Sequence, residues 1–360
     1  MLHASKGLVG VRPQRSWARC VHHARRARPA QLVRSGINLD DLELDMPDID
    51  GDLKGVQREL GATFNAAGVP ATFNFARQAV QAVESGVVLV DRSHWGRLRL
   101  AGPGARAFCH NQSTNDFNKL SPGQGCDTVL VTSTARTLDL ALALVNQESV
   151  MLVVSPDTKQ ALIERFEKYI FPADQVAVQD VSARCAMVSL IGPEAATVLK
   201  EVAGDTVDKI VAAPYGSHTI LNFRNSPLIV AVGSGLAAPG FTLICDESAG
   251  GELFALLASK GCVLMGEEEW EVARVAAGRP APGAELTQDT NPLEAGLYHA
   301  VSLDKGCYIG QETLAKLSNL DGVKQQLWGL ALQGPVAPGD EVVSEGAVGA
   351  GEAGARLRRG

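Results

Sequence analysis

No apolar run in the sequence approaches the roughly 18 residues that a membrane-spanning helix requires; the longest stretches, such as GVVLV and VMLVV, are strand-sized. No spanning helix is therefore expected. Paired cysteines are also lacking: the seven lie at 20, 109, 126, 185, 245, 262 and 307, no two within four residues, which excludes CxxC pairs and zinc-type spacing. Acidic residues are missing from residues 1–39, where eight Lys or Arg and three His stand without an apolar central stretch. That is the composition of an organelle transit peptide rather than a secretory signal. A basic arm for nucleic acid fits less well, because the chain carries a net charge of -7 and no patch of interleaved basic and aromatic residues. With 46% hydrophobic and 20% charged residues, the chain has a globular composition and the length for more than one core.

The acidic stretch DDLELDMPDIDGD, Asp40 to Asp52, reads as a solvated leader. Beyond it, ARAFCHNQSTNDF after Gly102 and Pro103 predicts a short helix, and the alternation on both sides of TSTAR predicts a hairpin. SVMLVVSPDTKQALIERFEKYIFPADQVAV reads as strand, helix, strand, with the helix starting at Pro156 and Asp157 and an apolar face of Leu162, Ile163, Phe166, Tyr169 and Ile170. GFTLICDESAGGELFALLASKGCVLMG repeats that grammar, so a duplicated α+β core with pseudo-twofold symmetry is expected. GEEEWEVARVAAGRPAPG predicts a helix ending at Gly278. VAVGSGLAAPG matches the glycine spacing of a dinucleotide fingerprint, but Pro239 and a further strand follow where a helix would have to begin.

KGCYIGQET, residues 305–313, is built unlike a core strand. Cys109, Cys185, Cys245 and Cys262 stand in apolar text, where a buried reduced thiol is expected; Cys307 does not. It lies just upstream of a predicted helix start at Gln311 and Glu312, and the adjacent Lys305 is expected to favour its thiolate. A tight packing loop with Cys307 as a small buried residue explains the residue types equally well.

KGCYIGQET is similar to the signature of the YgfZ family of folate-binding proteins of iron–sulfur cluster assembly or repair, which belongs with the T-protein (aminomethyltransferase) of the glycine cleavage system. VDRSHWGRLRLAG, HNQSTNDFNKLSPGQG, GRPAPGAELTQDTNPLEAGL and KGCYIGQETLAKL follow the family's order, and GQGCDTVLVTSTARTLDLA looks most like the plastid branch. The resemblance implies a two-lobed, duplicated T-protein-like α+β fold with the start of a C-terminal β-barrel. It divides the chain into a transit peptide (1–39), a leader and N-terminal extension (40–85), a folate-binding domain (86–322) and an incomplete barrel with a Gly/Ala-rich tail (323–360). It implies tetrahydrofolate as cofactor, with no stable metal or cluster, and Cys307 with Lys305 as the reactive pair. Arg274, Asn291, Glu294, Tyr308 and Gln311 become candidate folate contacts, although Arg274 reads as well as a helix salt bridge and Glu294 as a turn or cap. Iron–sulfur assembly proteins or client apoproteins are the implied partners, without nucleic acid or membrane, in the chloroplast stroma or alternatively the mitochondrial matrix.

Departures from the T-protein pattern are informative. Alignment of TARTLDLA puts Asp139 on the first of its paired aspartates and Leu140 on the second, which carries catalysis; leucine can neither stabilise a cation nor accept a proton. Thr242 stands where the T-protein has the glutamate that grips the pterin, Ala276 replaces the glutamate of its R-x-E-A-G motif, and Asp127 and His299 fall on aromatic positions. The implied function is a folate-binding accessory factor for iron–sulfur clusters, with a folate-dependent one-carbon transferase as the alternative.

Overall fold

A computed structural model of the chain describes residues 52–331 and the short strand segments Gly10–Val11, Glu341–Val342 and Ala355–Arg356. The remainder of the expected transit peptide, acidic leader, barrel opening and tail lies outside the described residues.

The elements that position the site are, in chain order, α1 (Leu53–Glu59), α2 (Ala76–Ser85), β1 (Val88–Asp91), β2 (Gly96–Ala101) and α3 (Ala105–Gln112). Then come β3 (Gln124–Val131), β4 (Thr137–Val145), β5 (Ser149–Val154), α4 (Lys159–Tyr169) and β6 (Ala177–Asp180). The second half holds β7 (Cys185–Ile191), α5 (Ala195–Ala203), β8 (His218–Phe223), β9 (Ser226–Val232), β10 (Gly240–Asp246), α6 (Gly250–Ser259) and β11 (Val263–Met265). Last are α7 (Glu267–Ala277) and α8 (Gln311–Asn319).

Two sheets result, in the orders β3-β4-β5-β2-β6 and β8-β9-β10-β7-β1-β11. The duplication is visible in them: each lobe has a strand, a Gly-Pro turn into a helix, a hairpin, a third strand and a second helix. Gly102 and Gly192 occupy equivalent turns, with φ of 130° and 124°. A Cβ at either would fall 2.1 Å from the Gln175 carbonyl oxygen or 2.3 Å from that of Gly86, so both turns require glycine. The two halves differ in one respect: β6 pairs antiparallel with β2, whereas the equivalent place beside β7 is filled by β1, and β11 pairs parallel on the far side of β1. The segment from 53 onward is thereby an integral part of the second lobe, with Val56 of α1 buried in its core.

The strands of the inner hairpin read as unbroken apolar text because both faces are covered. On β4, Ala141, Ala143 and Val145 face α3 and α4, while Leu142 and Leu144 meet Met187, Ala231 and Ile244 of the other sheet. The fingerprint-like VAVGSGLAAPG is a connection between β9 and β10, with no helix. Helix α4 starts at Lys159 rather than Pro156, because Ser155 and Thr158 are held by Asp139; on its apolar face Leu162 and Phe166 are buried, but Tyr169 is exposed.

Candidate functional site

The KGCYIGQET loop is tied to the C-terminal end of α3. Helix ends leave carbonyls without intrahelical partners, and here a buried ammonium takes them: Lys305 Nζ donates to the carbonyls of His110, Ser113 and Asn115 at 2.5, 2.6 and 2.7 Å. Burial pushes its pKa down to about 8, and Tyr308 lies against it, with the ammonium 4.4 Å from the ring centroid. Backbone bonds from Ser302 to Thr114 and from Ile309 to Asn111 complete the seam.

This geometry corrects the expected pairing of Lys305 with Cys307. The three N–H groups of Lys305 point inward to carbonyls, and the groups that act on its charge are Asp116, Cys126 and Cys109, not Cys307. Helix α8 begins at Gln311 behind Gly310, four residues after Cys307, which is beyond the first turn where a helix dipole acts. Cys307 is nonetheless the exposed member of the six described thiols. Burial pushes Cys126, Cys245 and Cys262 up to about 12 and raises Cys109 further; Cys185, expected buried, is half-buried and also raised by desolvation.

The other expected contacts are spread apart. Arg274, buried, donates to Glu271, to Glu285 Oε2 at 2.8 Å and to the Arg279 carbonyl at 2.7 Å, so it holds the loop after α7. Asn291 and Glu294 cap one turn reciprocally: Asn291 Oδ1 accepts from Leu293 and Glu294 N–H, and Glu294 Oε2 accepts from Asn291 N–H. Tyr308 is half-buried, its hydroxyl pushed up to about 12 by desolvation. Gln311 lies in an open groove of about 500 Å³ along α8 with Glu312, Ala315 and Leu320. Arg274, Asn291 and Glu294 thus each have partners within the protein.

Between the lobes the structure assembles residues that sequence reasoning passed over. Arg92, at the end of β1, is sandwiched between Trp95 and Trp270, its Cζ 4.3 and 3.7 Å from the ring centroids, and is paired with Glu267. Burial lowers its pKa to about 10. Arg279 faces the same Trp95 at 5.6 Å and is 6% exposed, yet its guanidinium makes one long hydrogen bond among the described residues, 3.4 Å to the Leu140 carbonyl. A buried guanidinium with donors to spare beside an indole face suits a planar ligand bearing a carboxylate or carbonyl oxygens. The signal was present in DRSHWGR and GRP, but pairing across more than 180 residues is not readable from periodicity.

The neighbouring groups are spoken for. Asp139, fully buried, accepts from Leu140 N–H, Ser155 N–H and Oγ, and Thr158 Oγ1; burial raises its pKa against those donors. Leu140 packs with Val129, Val131, Leu286 and Leu297, so the carboxylate position of the T-protein alignment is apolar in fact as well as in name. Thr242 donates its hydroxyl to the Gly233 carbonyl at 2.7 Å. Among the described residues no group of three or more His, Cys, Asp or Glu could hold a metal, and no helix is long and apolar enough to cross a membrane.

Comparison with known proteins gives a consistent picture. The family model described as GCVT N-terminal domain matches residues 53–305, ending at Lys305, just short of Cys307. An Arabidopsis thaliana protein named "Putative transferase At1g60990, chloroplastic" is 39% identical over 89% of this chain and 74% of its own. The aminomethyltransferase of Synechococcus elongatus (strain ATCC 33912) is 30% identical over 81% of each chain. Among solved structures, aminomethyltransferase T of the glycine cleavage system from Bartonella henselae superposes with a TM-score of 0.62 at 22% identity, covering 74% of this chain and 73% of that one. At that identity the likeness is one of fold.

Proposed function

Given that the chain belongs to the GCVT N-terminal domain family, we propose that it binds a reduced folate, tetrahydrofolate or a one-carbon form of it, between its lobes. We read it as an accessory factor for assembly or repair of iron–sulfur clusters, of the YgfZ type, with Cys307 as its working thiol. The observation that carries this reading is the contrast among the thiols of the described residues: five are buried or half-buried, while Cys307 is exposed on a loop fixed by the Lys305 anchor. A single thiolate cannot hold a cluster that ordinarily takes four, so contact with a cluster is transient and shared with an assembly protein, a client apoprotein or a small thiol. The name of the Arabidopsis relative and the basic segment 1–39 support the chloroplast stroma as its place of work.

Arg279 and Arg92, with Trp95, would hold the folate's polar and planar parts; the pterin glutamate of the T-protein is replaced by the occupied hydroxyl of Thr242. Titration calorimetry with tetrahydrofolate under argon tests this: Arg279→Leu is expected to weaken binding at least about tenfold, the loss of one charge-assisted contact. Unchanged affinity in that variant, or no binding to the intact protein, contradicts the reading. The alternative, folate-dependent aminomethyl transfer, is opposed by apolar Leu140; measurable turnover of an aminomethylated lipoyl protein would restore it.

A further inference from the structure

We propose that Asp127, His299 and Tyr215 form a proton-transfer site beside Leu140, in which His299 exchanges a proton with a ring nitrogen of the bound reduced folate. This rests on the folate reading above and adds chemistry to it. In the β3–β4 register Leu140 lies opposite Val129 and Leu142 opposite Asp127. Since side chains alternate along a strand, Asp127 shares the sheet face of Leu140, one residue pair along. The carboxylate absent from position 140 is thus matched by one on the neighbouring strand.

Three segments bring the groups together. Asp127 comes from β3, Tyr215 from the loop before β8 and His299 from the turn Tyr298–Ala300. The Tyr215 hydroxyl donates to Asp127 Oδ1 at 2.6 Å. Asp127 Oδ2, on a side chain only 2% exposed, takes no hydrogen bond and lies 3.4 Å from His299 Nε2. Asn115 Nδ2 fixes both backbones, donating to the carbonyls of Asp127 at 2.6 Å and His299 at 3.5 Å. The other ionisable groups acting on Tyr215 are Arg279 and Cys126.

A carboxylate oxygen buried without a hydrogen bond is costly and calls for a partner that arrives or moves. The His299 side chain, 18% exposed, is the member that can reach solvent or ligand. The carboxylate, 3.4 Å from Nε2, orients the imidazole, and the phenol holds the carboxylate. In the step itself the imidazolium gives its proton to the folate nitrogen and regains one from solvent; no bond to carbon forms or breaks. His299 would be the catalytic residue, and Asp127 and Tyr215 positioning residues.

The test is titration calorimetry of the full chain with tetrahydrofolate, whose N5 is a free amine, under argon at pH about 6.5, near the ordinary histidine value, in two buffers of different ionisation heat. The intact protein is expected to show different apparent enthalpies in the two buffers, reporting proton exchange on binding. Asp127→Asn and His299→Gln are expected to lose that difference while a heat of binding remains measurable. A buffer difference retained in full by both variants, or absent from the intact protein that binds, overturns the proton-transfer site alone. Absence of binding to the intact protein overturns the folate reading and this proposal with it. Should Asp127→Asn fail to fold, His299→Gln, at the partly exposed position, decides.

Discussion

Replacing Lys305 by methionine is expected to cost about 3 kcal/mol of stability, since each buried carbonyl left without a donor costs roughly 1 kcal/mol or more. Methionine fills much the same space but supplies no N–H to His110, Ser113 or Asn115. The loss should appear as a lower urea midpoint with an unchanged slope. It also has a pH signature. The native pKa of Lys305, about 8, lies below the ordinary lysine value of about 10.4. Between those values the unfolded chain binds more protons than the native one at this group, so its contribution to stability increases with pH. The gap between intact protein and Lys305→Met should therefore widen from pH 8 to pH 10. A loss below about 1 kcal/mol would show that the anchor is dispensable.

Arg97→Met should be more damaging still, at about 4 kcal/mol or beyond. Arg97 is fully buried, and its guanidinium donates to the carbonyls of Ser93 and Cys185 at 2.7 Å and to those of Trp95 and Ser182. Those carbonyls belong to the entry to β2 and to the crossover between the lobes, so one side chain satisfies four backbone acceptors where the duplicated halves meet. Removing it strands them in the interior. Lysine cannot substitute, because three N–H groups on one atom do not reproduce a planar fork with five. Circular dichroism melting of Arg97→Met and Arg97→Lys is the check; a melting temperature within a few degrees of the intact protein for either would contradict this assignment.

How far the sequence revealed the molecule depends on the range of the interactions involved. Both strand–helix–strand units and the end of α7 at Gly278 were legible, since hydrophobic period and helix stop signals are local. The exchange of β1 for β6 beside the first strand of the second lobe was not, because nothing in VVLVD specifies a partner strand 100 residues away. At the site, the unusual text around Cys307 was a true signal of exposure, yet its neighbour was misassigned. Lys305 is adjacent in sequence to that loop, but its ammonium is spent on α3, 190 or more residues back. Arg279 and Asp127 look ordinary in sequence; their meaning comes from Trp95 and Tyr215, brought in by the fold.

Whether Cys307 is the working thiol is decided by complementation. Residues 40–360, intact and as Cys307→Ser, would be expressed in bacteria lacking their own member of the folate-binding family, and a cluster-dependent enzyme assayed in the extract. Cys307 is exposed and its substitution leaves the Lys305 anchor in place, so both proteins should accumulate equally. Rescue by the intact chain is expected, with less than about a tenth of it by Cys307→Ser, the loss when a nucleophilic or metal-ligating thiolate becomes a hydroxyl. Equal rescue by the two would make Cys307 a bystander and rule it out as the working thiol.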